Sequence, residues 1–136
     1  MKSLLPRTAP LKYAYSTSVY VELAIEYIQE TYHQGIGISD IAGNIGISRA
    51  YLNSAFQKEL GMSAQNFLIN YKMHKAANLL VSTSNSVKEV SNSVGYVDQL
   101  VFSKAFKKKF GMSPKNYKTH KEMMDKYNEK QIDDPV

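Results

Sequence analysis

Between Gln99 and Lys121 the chain carries seven lysines (Lys104, Lys107, Lys108, Lys109, Lys115, Lys118 and Lys121) and no acidic residue. A dense run of ammonium groups does one kind of chemistry well: it neutralises an anionic surface such as a phosphate backbone. The ordinary reading of such a run is a solvated helix face, so the run needs a second signal before it means a partner. The whole chain of 136 residues has 17 Lys plus Arg against 12 Asp plus Glu, for a net charge of +5. Other chemistries find no footing. There are no cysteines, which excludes thiol catalysis and cysteine-ligated zinc or iron–sulfur sites. His33, His74 and His120 stand apart, without partner ligands at metal spacing. No Gly-rich phosphate loop and no Ser/His/Asp spacing is present, so the expectation is a protein that is not an enzyme, with no cofactor and no metal. No apolar run approaches the ~18–20 residues of a membrane span, so no membrane partner is expected and the default location is cytoplasmic.

The residues that could touch an anion must be positioned by helices, because no segment reads as a strand. Residues 1–17 hold Pro6, Pro10 and three cations without a sustained period, and read as a basic linker or tail. From Ser18 onward apolar residues recur at helical steps (Val19, Leu23, Ile28), with Glu22 and Glu26 on a solvated face and Gly35 as the stop. A short helix follows over about Ile38 to Ile45, broken by Gly46. Ser48 caps a helix from Arg49 to Leu60, closed by Gly61. Ser63 caps a long helix to about Val81. Ser86 and Glu89 form a capping box, and Gly95 breaks the helix it starts. Asp98 caps a helix to Phe110 ahead of Gly111, and Ser113-Pro114 opens the last one. Residues 128–136 read as a polar, frayed tail. The expected fold class is all-α, with seven helices in one domain over 18–127.

A tandem repeat organises these helices. Ile38 to Gly46 aligns with Val87 to Gly95 at an offset of 49. Leu52 to Phe67 aligns with Phe102 to Tyr117 at an offset of 50, with seven identities in sixteen positions: Ala55, Phe56, Lys58, Gly61, Met62, Ser63 and Asn66. One residue has therefore been added between Gly95 and Asp98. Each copy has the physics of a helix-turn-helix. A small residue (Ala42, Ser91) lets two helices cross closely, and a glycine four residues later (Gly46, Gly95) lets the turn reach positive φ. Apolar residues flank the turn, among them Ile41, Ile45, Ile47 and Leu52 in the first copy and Val90, Val94, Tyr96 and Phe102 in the second. Phe56 and Phe106 are expected in the core. The first unit spans about 37–60, the connecting helix about 64–81 and the second unit about 86–110.

With this repeat in place the sequence resembles the DNA-binding domain of AraC/XylS-type bacterial transcription regulators, over about Val19 to Tyr117. The most specific stretch is Gly95-Tyr96-Val97-Asp98 ahead of the second recognition helix, with Phe110-Gly111-Met112-Ser113-Pro114 and Tyr117 after it. The resemblance implies two homeodomain-like helix-turn-helix units joined by the long helix, both facing one side of double-stranded DNA. At ~1.5 Å per residue the connecting helix spans about 27 Å, compatible with recognition helices in two successive major grooves about 34 Å apart.

The resemblance places base-edge contacts on the outward N-terminal positions of each recognition helix. In the first copy these are Arg49, Ala50, Asn53 and Ser54. Asn53 can read adenine, Ala50 reaches only a thymine methyl, and Ser54 stands where the family often has arginine. The first unit should read bases weakly, or read an A·T-rich half-site. In the second copy the positions are Gln99, Leu100, Ser103 and Lys104. Gln99 can pair bidentately with adenine, and Lys104 reaches guanine or a phosphate without arginine's planar fork. Leu100 suits thymine methyls, and Val101 is expected to face the core. Phosphate contacts are expected at the helix starts Ser48, Ser63, Asp98 and Ser113, and at Lys72, Lys107, Lys108 and Lys115. The first copy, Ile38 to Phe67, sums to zero charge, so the second unit should dominate phosphate contact.

The function implied is sequence-specific DNA binding and regulation of transcription, as activator or repressor, with RNA polymerase as a partner. The residues 1–17 read as an interdomain linker, which points to the C-terminal part of a longer effector-responsive regulator, often a sugar-responsive one. The isolated domain should be monomeric and the full-length protein dimeric, working in the cytoplasm on the bacterial nucleoid. The alternative is a degenerate helix-turn-helix module that docks on RNA polymerase or another regulator and reads no bases.

Overall fold

The computed structural model describes residues 13–133, and side chains as far as residue 130. Among these residues there are seven α-helices and no strand. They are α1 (Thr17–Thr31), α2 (Ile38–Ile45), α3 (Arg49–Leu60), α4 (Ala64–Ser82), α5 (Val87–Ser93), α6 (Gln99–Phe110) and α7 (Pro114–Asp133), with one 3-10 turn at Tyr32–Gln34. The chain divides into two compact units, Met1–Asn70 and Tyr71–Val136. The expected connecting helix is α4, which runs one residue past Val81.

In the first unit α1 packs against α2 and α3. Its core is Tyr20, Ala24, Ile28, Ile41, Leu52, Phe56 and Leu68, and the Phe67 ring meets Phe56 edge-on at 5.5 Å. The turn between α2 and α3 is set by Gly46 at φ +81. There the Ile47 N–H donates to the Ala42 carbonyl at 3.0 Å. Positive φ costs a residue with a Cβ free energy that glycine avoids. The end of the stretch read as a basic linker or tail, from Tyr13, packs in this unit. Residues 1–12 lie outside the described part, but Tyr13 is stacked on Tyr51 with ring centroids 3.8 Å apart. The Tyr20 hydroxyl accepts from the Ala14 N–H at 3.1 Å, and Ser16 caps α1. Tyrosines at 13, 20 and 51 give these residues enough apolar surface to pack.

In the second unit α5 packs on α6 and α6 on α7. The core holds Met73, Ala76, Leu80, Val90, Val94, Phe102 and Phe106, all fully buried. Phe106 lies 4.6 Å from Phe110 and 5.3 Å from Tyr117, ring to ring. The turn repeats that of the first unit: Gly95 sits at φ +88, and the Tyr96 N–H donates to the Ser91 carbonyl at 3.0 Å. Lys118 closes the loop after α4, its Nζ donating to the carbonyls of Thr83 and Asn85 at 3.4 and 3.1 Å. The residues expected as a polar tail from 128 continue α7 as far as Asp133.

Ser91 takes the small-residue position that Ala42 takes in the first unit, but its buried hydroxyl has no hydrogen-bond partner. A buried unsatisfied polar atom is destabilising, and alanine would keep the close approach without it. Ser91→Ala is expected to stabilise the protein by about 1 kcal/mol, read as a higher urea midpoint. An unchanged or lower midpoint would show that the hydroxyl is satisfied in solution.

Candidate nucleic-acid interface

Each unit presents one helix, α3 or α6, that starts from a capped turn. At α3 the Ser48 hydroxyl accepts from the Tyr51 N–H at 3.0 Å, and the Tyr13 hydroxyl lies 3.0 Å from it. At α6 the Asp98 carboxylate accepts from the N–H groups of Leu100 (2.9 Å) and Val101 (3.4 Å). These caps fix where each helix begins and hence which side chains point outward from its first turns. Arg49, Ala50, Asn53 and Ser54 are exposed on α3. Gln99, Leu100 and Lys104 are exposed on α6, with Ser103 half-buried. Lys107, Lys108 and Lys109 follow on the exposed last turn, where cations also suit the helix dipole. Lys115 is exposed in the first turn of α7.

A family model described as a helix-turn-helix domain matches residues 41–120, which take in α3 to α6 and most of α2. The chain belongs to the AraC/XylS-type helix-turn-helix family. This is a family of DNA-binding transcription-regulator domains and not of enzymes. The chain is 36% identical over 100 residues to the lactose operon transcription activator of Staphylococcus xylosus, a match that covers 74% of this chain and 36% of that protein. The chain thus spans about a third of the length of that relative. The C-terminal domain of AraT, a response regulator from Geobacillus stearothermophilus, superposes with a TM-score of 0.72 at 34% identity, over 85% of this chain and 88% of that one. The same fold occurs in the DNA-binding domain of AdpA, solved in complex with a target DNA (TM-score 0.69, 23% identity, 74% of this chain and 90% of that one).

Within this AraC-type frame the structure reassigns three of the side chains singled out in the sequence. Lys72 is no phosphate contact. It is 7% exposed, and its ammonium lies 5.2 Å from the centre of the Tyr96 ring. Its position on α4 turns it into the second unit, where the aromatic face partly replaces water. Burial lowers its pKa from the ordinary lysine value. The unfolded chain therefore binds this proton more tightly than the native one, and the charged lysine costs stability at neutral pH. That cost fades as pH rises toward the unfolded value. Lys72→Met is accordingly expected to gain less stability, relative to the parent, at pH 9 than at pH 7. Equal differences at the two values in chemical denaturation would count against a perturbed Lys72.

Asn53 has structural work. Its Oδ1 accepts from the Ala64 N–H at 3.0 Å and so satisfies a free donor at the start of α4. In the second unit the residue equivalent to Ala64 is Pro114, which has no N–H, and the residue equivalent to Asn53 is Ser103. The two copies solve one problem in two ways. Asn53→Ala is expected to cost about 1 kcal/mol of stability, and clearly less in an Ala64→Pro background. Equal costs in both backgrounds, by denaturant titration, would mean the cap contributes nothing.

Val101, expected in the core, is 51% exposed. Its counterpart Tyr51 is covered by Tyr13 and Tyr20. The helix starts expected as phosphate anchors also differ among themselves. The hydroxyls of Ser63 and Ser113 accept from the N–H groups of Asn66 and Asn116, which leaves their own O–H to donate. Asp98 brings a negative charge and takes up two N–H groups of α6, which disfavours a phosphate there.

Proposed function

We propose that this chain is the DNA-binding part of a longer, effector-responsive transcription regulator, and that it activates an operon for sugar use. The observation that carries this reading is the paired capped recognition helix, each with outward side chains at its start, the second inside a lysine field without an acid. The similarity to a lactose operon activator supports a sugar-linked role. Base contacts are assigned to Arg49, Ala50 and Ser54 on α3 and to Gln99, Leu100, Ser103 and Lys104 on α6. Phosphate contacts are assigned to Lys107, Lys108, Lys115, Ser63 and Ser113. The two recognition helices take two successive major grooves on one face of the duplex. The isolated chain binds as a monomer and the intact regulator as a dimer, in the cytoplasm on the nucleoid, with RNA polymerase as protein partner.

Titration of the chain with a duplex selected from random sequence, at two salt concentrations, tests this reading. Selective binding with a steep salt slope is expected. The second reading, a module that docks on RNA polymerase or another regulator, draws on the short side chains of Ala50 and Ser54 and on the diversion of Asn53 into a cap. Absence of DNA binding at low salt would favour it.

A further inference from the structure

The start of α6 carries an apolar face that the fold leaves in water. Val97 is 98% exposed, Leu100 62% and Val101 51%. Leu100 and Val101 are neighbours on the first turn of α6, Lys104 lies about one turn on from both, and Val97 stands just before the cap Asp98, outside the helix. Three exposed branched residues around one helix start are unfavourable in water unless something covers them.

The hydrogen-bond register shows how this face arose. Ile47 donates to Ala42 and Tyr96 donates to Ser91, an offset of 49, whereas the caps Ser48 and Asp98 stand at an offset of 50. The added residue of the second copy is therefore Val97 itself. The two residues that complete the face, Leu100 and Val101, replace a short Ala50 and a covered Tyr51. The first unit has no equivalent face.

We infer that Val97, Leu100 and Val101 read thymine through its C5-methyl group in the major groove. This deepens the DNA-binding reading and rests on it. The occupant follows from chemistry and charge. One carboxylate, Asp98, lies within this stretch and is taken up by the N–H groups of Leu100 and Val101; beyond it the helix runs into Lys104, Lys107 and Lys108 with no acid as far as Lys121, so the surface on that side is complementary to a polyanion. These three side chains have no polar atom and cannot hydrogen-bond a base edge. The thymine methyl is the apolar group that the major groove offers them. Gln99, at the same helix start, selects adenine by its carboxamide, so the half-site under α6 is a run of A·T pairs with its thymine methyls turned toward α6.

The test replaces thymine by deoxyuridine, which removes only that methyl, in a selected duplex. Substitution is made separately in the half-site protected by α6, located by its dependence on Lys104, and in the other half-site. Loss of affinity of about fourfold per buried methyl is expected under α6, the equivalent of about 0.8 kcal/mol, with little loss in the other half-site. Leu100→Ala and Val101→Ala, both exposed and tolerant of substitution, are expected to bind the thymine duplex more weakly and to lose most of the discrimination against deoxyuridine. Selective binding that is indifferent to deoxyuridine would overturn methyl reading and leave DNA recognition intact. Binding of the thymine duplex unchanged in the Leu100→Ala, Val101→Ala double variant would likewise overturn methyl reading by this face. Absence of selective binding by the parent chain would overturn both.

Discussion

Gly95→Val is expected to cost the second unit about 2–4 kcal/mol. Gly95 sits at φ +88, in the left-handed region that a β-branched residue avoids. The turn cannot relax to accommodate it, because both sides are pinned. On one side Val94 is fully buried against the core; on the other the Tyr96 N–H is bonded to the Ser91 carbonyl. Valine must either hold a strained backbone or release the bond that sets the angle between α5 and α6. Gly95→Asn, which tolerates positive φ, is expected to lose much less. The measurement is thermal or urea unfolding of the three proteins side by side. An unchanged midpoint for the valine variant would mean that residue 95 does not make the turn. Because α6 carries Gln99 and Lys104, the valine variant is also expected to lose DNA affinity in proportion to the second unit's disorder.

Local signals made most of the architecture readable. Capping residues stand where helices start: the side chains of Ser48, Ser86 and Asp98 each accept from N–H groups in the turn they precede. Glycines stand where helices end, and the bounds of α3 and α6 follow from these two kinds of residue. The duplication supplied a second test within one chain, since a feature in both copies has to satisfy the same geometry twice. Phe56 and Phe106 are fully buried, as their matching positions imply.

What the pattern could not supply depends on contacts between segments far apart in sequence. Val101 looks like a core residue because it aligns with Tyr51. Yet Tyr51 is covered by Tyr13, 38 positions earlier, and no periodicity within α6 reports on that. Lys72 looks like every other lysine until the Tyr96 ring is placed beneath it. Asn53 has the right chemistry for adenine, and the same amide is the right chemistry for a free N–H eleven residues on. A signal for the last was present: an alanine in one copy faces a proline in the other, which changes the number of donors at the start of the helix. Where the described residues reach into the stretches read as tails, they too hold structure. Tyr13 packs on the first unit, and α7 runs on as far as Asp133, with Met123, Met124 and Tyr127 exposed along it.

On the preferred duplex, Gln99→Ala and Lys104→Ala are each expected to weaken binding by about 1–3 kcal/mol, roughly five- to 150-fold, and to relax preference at one position. Both side chains are exposed on the first turns of α6, on the helix start that Asp98 holds in register. Lys107→Ala and Lys108→Ala are expected to act differently. Phosphate contacts carry no base information, so these changes should weaken specific and scrambled duplexes alike and lower the salt slope by about one. Lys72→Met serves as an internal control: with its ammonium held over Tyr96 it should leave the slope unchanged. Asn53→Ala should cost less than either base-reading change, and what it costs should follow stability, because its carbonyl oxygen already caps α4. Each variant is titrated on both duplexes at two salt concentrations, alongside its unfolding midpoint. If Asn53→Ala proved the most damaging of the set at full folding, α3 would be the main reader of sequence. The lysine field around α6 would then supply affinity without selectivity, and the ranking of the two units would be reversed.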